Sequence, residues 1–140
     1  MRLKTLLVEL NPAEPDREAI SSAAESLRNG GLVAFPTETV YGLGADALNP
    51  EAVRRIFVAK GRPLDNPIIV HVGGPDDLKA LTDDVPADAA RLMGQFWPGP
   101  LTLIFRKSGH LPREVTGGQD TVAVRMPRNT IALALVRALG

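Results

Sequence analysis

Lys60 and Arg62 flank Gly61, Asn66 follows four residues later, and His71 interrupts the aliphatic run PIIVHV at 67–72. The glycine lets the chain turn, so both cationic heads are free to converge on one anion. Arginine supplies a planar fork and lysine a compact point charge, the pairing that a triphosphate needs. A lysine in the last turn of a helix also has a plainer reading, snorkelling or offsetting the helix dipole. Asn66 stands before a proline, where asparagine is more often a turn former, so its binding role depends on its neighbours. His71 shares a strand face with Ile69, and a histidine in such a run is more often a satisfied core residue than a ligand. The chain has no cysteine, and its other histidine, His110, falls in a loop, so no metal site is expected.

Two further stretches carry polar side chains where apolar ones would be unremarkable. FPTETVYGLG (35–44) gathers Thr37, Glu38, Thr39 and Tyr41 between two apolar runs, a plausible polar wall for a pocket, although threonines in strands often reflect propensity alone. DTVAVRMP (120–127) puts Thr121, Ala123 and Arg125 on one face of a strand by its period of two. An arginine there is costly to bury unless it meets an anion, and a carboxylate is the natural partner. No Ser-His-Asp or Cys-His set and no carboxylate pair is suggested. The chemistry implied is orientation and charge stabilisation around a polyanion, without a covalent nucleophile.

These residues must be held by elements that the pattern marks out. A short strand is expected over 3–10, a helix over 14–31 ended by Gly30 and Gly31, and strands over 32–36 and from 40 toward 48. Asn49, Pro50 and Gly61 bracket a helix over 49–61 as cap, first-turn residue and terminator. Its apolar face is Val53, Ile56 and Phe57, with Lys60 next on the same stripe. A strand over 67–72, a turn and short helix over 73–82, and a helix over 86–96 stopped by WPGP follow. Strands over 101–106 and 121–126 are separated by a glycine-bearing loop, and a helix over 129–140 ends the sequence. Interleaved strands and helices predict an α/β fold around a partly parallel sheet. Such a chain ordinarily continues into another strand, so the domain reads as one unit, 1–140, cut after its last helix.

Composition sets the outer limits. Sixteen basic against sixteen acidic residues give no net charge, so any polyanion site is local rather than a broad field. No apolar run approaches the roughly 20 residues of a membrane span, and the N-terminus lacks the form of a signal peptide. A cytoplasmic protein without disulfides is the expectation. GLGADA (42–47), with Asp65 downstream, matches a dinucleotide fingerprint in letters only. The next helix begins at Asn49, after the match, so the glycines miss the strand-to-helix turn that aims amides at a pyrophosphate. No Walker-type P-loop is present.

Taken together, FPTETVYGLGADA, KGRPLDNPIIVHV, FWPGPLTLIF and TVAVRMP resemble the YrdC/TsaC family of L-threonylcarbamoyladenylate synthases, from about residue 15 onward and in the family's order. The resemblance implies an open, twisted, mixed sheet flanked by helices, with a positively charged cavity. It implies that L-threonine, bicarbonate and ATP yield threonylcarbamoyl-AMP and pyrophosphate, the first step toward threonylcarbamoyladenosine in tRNA, with Mg²⁺ assisting. On the matching positions, Lys60, Arg62, Asn66 and Thr121 would hold ATP, with Lys60 and Arg62 acting on the phosphates in catalysis. Thr37, Thr39, Tyr41, His71 and Arg125 would hold threonine. A threonylcarbamoyl transferase complex would receive the product, with tRNA a further candidate partner and no membrane. The family's Ser-x-Asn motif does not occur in this sequence. The competing reading is a tRNA- or double-stranded-RNA-binding module of the same fold, using the basic cluster Arg54, Arg55, Lys60 and Arg62. Carbamoyl transfer of the hydrogenase-maturation kind is disfavoured by the absence of its acylphosphatase and zinc-finger parts.

Overall fold

The computed structural model describes residues 5–37, 40–63, 67–109 and 111–140. Helix α1 (Arg17–Arg28) opens on Asp16, whose carboxylate accepts from the Glu18 amide. Strands β1 (Val33–Phe35) and β2 (Gly42–Gly44) pair antiparallel as a hairpin. Helix α2 (Pro50–Lys60) starts as its sequence dictates: the Asn49 side chain accepts from the Glu51 and Ala52 amides. It ends on Gly61 at φ +63°, where the Gly61 amide donates to Val58 O and the Arg62 amide to Phe57 O. That pair of bonds is a Schellman motif, and the left-handed turn is why glycine is needed there.

Strand β3 (Ile69–His71) is followed by a 3₁₀ turn (Pro75–Ala80) and helix α3 (Ala87–Phe96). Strand β4 (Thr102–Arg106), the short helix α4 (Arg113–Thr116), strand β5 (Thr121–Arg125) and helix α5 (Thr130–Leu139) complete the order. A three-stranded sheet runs β3-β5-β4, with β5 parallel to β3 and antiparallel to β4. The expected α/β architecture with a mixed sheet is therefore present.

One face of that sheet is the core. Val70 and Val72 of β3 and its continuation, Val122, Val124 and Met126 at β5, and Phe105 of β4 pack against Val53 and Phe57 of α2, Leu78 and Leu81, Met93 of α3, and Val115 of α4. A second cluster joins Ala24 and Leu27 of α1 to Leu135 of α5, with Val33 and Phe35 of the hairpin against it. The opposite face of the sheet is open: Ile104 is 71% exposed and Ile69 47%. Among the described residues no helix is long and apolar enough to cross a membrane.

Three expectations are corrected. Residues 5–10 form no strand; Leu6, Leu7 and Val8 are exposed, because among the described residues no backbone pairs with them in the ladder that would hold an extended segment. The loop over 107–120 contains α4, whose Val115 and Thr116 are buried. Lys60 does not continue the buried stripe of α2. That stripe ends at Phe57, and Lys60 and Val58 both face solvent in the last turn of the helix.

Candidate active site

The alternation that buries Val70, Val122 and Val124 necessarily turns their neighbours to the open face. Register then sets those neighbours side by side. Arg125 pairs with His71 of β3 on one flank and with Thr102 of β4 on the other. The next row along the strands is Ile69, Ala123 and Ile104, and beyond it Thr121 lies beside Arg106. A polar row, an apolar row and a second polar row thus cross the sheet, spaced by two residues, about 6.6 Å. His71 and Arg125 occupy the carboxyl ends of two adjacent parallel strands, where ligands bind in open α/β sheets.

Each site side chain has a local support. The Arg125 Nε donates to Gly99 O at 3.1 Å, and the Gly99 amide donates to Met126 O at 2.9 Å. The imidazole of His71 meets the ring of Phe35 edge-to-face, with centroids 5.8 Å apart and planes at 78°. His71 and Arg125 are half-buried, so neither is the core histidine or the buried unpaired cation of the plainer readings. Thr121, at the other end of β5, lines a shallow hollow of about 590 Å³ with Arg106, Lys107, Ser108, Gly109 and Asp120. Two cations against one carboxylate make that hollow hospitable to an anion.

Lys60 and Arg62 lie on either side of the left-handed turn at Gly61, as the spacing suggested. Arg62 Nη2 donates to Pro67 O at 3.2 Å, which ties it to the entry of β3. Arg62 is thereby held to a residue two before β3, whereas His71 is that strand's last residue. From Pro67 to His71 is four residues, about 13 Å at 3.3 Å per residue. Arg54 and Arg55 are engaged elsewhere: Arg54 donates twice to Glu114 Oε2, at 2.9 and 2.6 Å, and Arg55 Nη1 donates to Gly30 O at 2.5 Å. The basic cluster suggested for RNA is thereby divided, half of it fastening α2 to α4 and to the end of α1.

Thr37 is already employed locally. Its hydroxyl bonds Val40 O, and the Val40 amide donates to Thr37 Oγ1 at 3.2 Å, closing the turn between β1 and β2. Tyr41 is 78% exposed beside that turn. Thr39, Asn66, Asp65 and His110 lie outside the described residues. Thr102 and Gly99 were not singled out from sequence, although the alternation in TLIFR turns Thr102 to the same face as Arg106.

With this geometry in hand, a family model described as Telomere recombination, that of Sua5, YciO and YrdC, matches residues 25–140. The chain belongs to the Sua5/YciO/YrdC family. A threonylcarbamoyl-AMP synthase from Pyrococcus abyssi is 58% identical over 117 residues, covering 84% of this chain and 34% of that protein. One from Bacillus subtilis is 52% identical over 133 residues, covering 94% of this chain and 38% of that protein. Among solved structures, P. abyssi Sua5 complexed with L-threonine superposes with a TM-score of 0.87 at 54% identity, over 90% of this chain and 37% of that one. Escherichia coli YciO gives 0.78 at 30% identity, over 91% of this chain and 62% of its own. This Sua5/YciO/YrdC chain thus spans little more than a third of the length of these two synthases. The GLG of β2 is strand, paired with β1, and not a phosphate loop.

Proposed function

We propose that this chain is the threonylcarbamoyl-AMP synthase unit of its protein, and that it converts L-threonine, bicarbonate and ATP to L-threonylcarbamoyl-AMP and pyrophosphate. The observation that carries the reading is the row His71–Arg125–Thr102 at the carboxyl ends of the parallel pair. Arg125 meets the threonine carboxylate, and His71, Thr37, Thr39 and Tyr41 surround the rest of the amino acid. Bicarbonate loses hydroxide to give carbon dioxide, the neutral amine adds to its carbon, and the amine proton leaves with the hydroxide as water, giving a carbamate. A carbamate oxygen attacks the α-phosphorus and the bond to the bridging oxygen breaks, releasing pyrophosphate. Lys60 and Arg62, with Asn66, bind the triphosphate and offset the charge that builds on the leaving group. Thr121 contacts the edge of the nucleotide.

Among the described residues no group of three or more His, Asp or Glu side chains could cage a metal ion. Mg²⁺ assisting the reaction would be carried by the phosphates of ATP, as is usual for that ion, and no residue here is given to it. The product passes to a threonylcarbamoyl transferase complex acting on tRNA, which puts the reaction in the cytoplasm. The division of the basic cluster by the Arg54–Glu114 pair favours the synthase over an RNA-binding module.

The test is pyrophosphate release from ATP and bicarbonate by the purified chain, with and without L-threonine. Release that requires threonine is expected. Release at the same rate without threonine, or salt-sensitive RNA binding with no affinity for threonine, would refute the proposal.

A further inference from the structure

Phe35 is the last residue of β1 and pairs with Gly42. Its ring lies back along β2. A Cβ on Gly42 would stand 3.2 Å from the ring's Cζ, and one on Gly44 only 2.7 Å from Cε1, closer than real Cβ atoms come. The two glycines of GLG are thus the floor on which the ring rests, which accounts for a motif that no nucleotide reading absorbed. The ring also meets His71 in the T-shaped geometry that aromatic pairs prefer. Among the described residues the hairpin and the three-stranded sheet share no ladder, so this contact crosses from one sheet to the other. Phe35 also touches the α1–α5 cluster, but it is only half-buried there.

We infer that Phe35 is a positioning residue for amino-acid recognition: seated on Gly42 and Gly44, its ring holds the His71 imidazole in the row with Arg125. It also fixes the hairpin, whose turn is closed by Thr37, against that row. This rests on the threonine-binding reading above. A simple core anchor would affect stability and every ligand alike; a positioning residue affects the amino acid selectively.

The experiment compares the unsubstituted chain with Phe35→Leu, which removes the ring, and Gly44→Ala, which displaces it. Calorimetry gives the Kd for L-threonine and for ATP separately, thermal unfolding gives stability, and a ¹H–¹³C spectrum follows the imidazole of His71, one of two histidines. Each substitution is expected to weaken threonine about 3- to 10-fold, to leave ATP within about twofold, and to move the His71 ring signals. Gly44→Ala added to Phe35→Leu should cost nothing further, because the methyl then meets no ring. Should the leucine variant fail to fold, Phe35→Met, unbranched and adaptable, takes its place. Equal weakening of threonine and ATP, or an unmoved His71 spectrum, overturns the role of Phe35. An unsubstituted chain that binds ATP but not threonine overturns the underlying reading, and the inference with it.

Discussion

Replacing Arg125 by lysine keeps the positive charge on β5 and removes the planar fork. In the native chain the Nε of Arg125 is committed to Gly99 O, and the planar guanidinium around it carries four further N–H donors in a fixed fork. A lysine ammonium has no such division of labour: it meets either the Gly99 carbonyl or a bound carboxylate. At least one charge-assisted hydrogen bond to threonine is lost, and each contributes about 1.5–3 kcal/mol. At 1.4 kcal/mol per factor of ten, threonine affinity should fall roughly 10- to 150-fold. The β5 ladder and the core beneath it, Val122 and Val124, are untouched by the change, so the thermal midpoint should move little. Calorimetric titration of the Arg125→Lys chain with L-threonine and then with ATP, beside a melting curve, measures all three quantities. Threonine binding within twofold of the unsubstituted chain refutes the argument. An equal loss of ATP affinity would also refute it, because Arg125 would then serve the phosphates.

Glu114 gives a pH dependence. Its carboxylate sits below the usual range, held there first by its own backbone amide and then by the Arg54 guanidinium, against an opposing desolvation. A depressed folded-state value means that the unfolded chain binds more protons on the acid side. The stabilisation is complete above the ordinary carboxylate value, near pH 4.5, and fades as pH falls through the folded one. Melting curves from pH 7 down to pH 3 should show Glu114→Gln less stable at neutral pH, with the gap to the native chain closing in acid; a gap constant with pH contradicts this. Gly61→Ala puts a side chain at φ +63° with nothing within 4 Å of its Cβ. The expected cost is therefore backbone strain alone, about 1 kcal/mol, or roughly 3 °C in Tm for a chain of this size. An unchanged Tm would mean that the left-handed cap is not imposed by the fold.

Helix α2 was legible because its signals are local. Asn49, Pro50 and Gly61 act within a residue or two of themselves, and the observed caps fall on those residues. The face assignments of β3 and β5 were legible for the same reason, since alternation is intrinsic to a strand and Val122 and Val124 have nowhere else to go. What sequence could not convey was adjacency. That Arg125 stands beside both His71 and Thr102 depends on the order β3-β5-β4, a pairing between segments some 50 residues apart. The contact of Phe35 with His71 depends on how a hairpin meets a separate sheet, and no periodicity encodes it. The failure over residues 5–10 is the converse case: alternation was present, yet a strand needs a partner as well as a pattern. Lys60 misled because heptad spacing from Val53 continues past the point where the helix stops burying its face.

Gly99 acts on Arg125 through entropy as well as through its hydrogen bonds. It fastens two successive residues at the end of β5, accepting from Arg125 and donating to Met126. A Cβ there would lie 2.5 Å from Phe96 O, so the loop closes this tightly only on glycine. Freezing an arginine side chain forfeits about 1.5–2 kcal/mol of rotamer entropy. With one end of the guanidinium already anchored, much of that loss is met when the chain folds and not when a ligand arrives. On the role proposed for Arg125, the loop between α3 and β4 lowers the entropy cost of meeting the carboxylate, through a residue that need never touch the ligand.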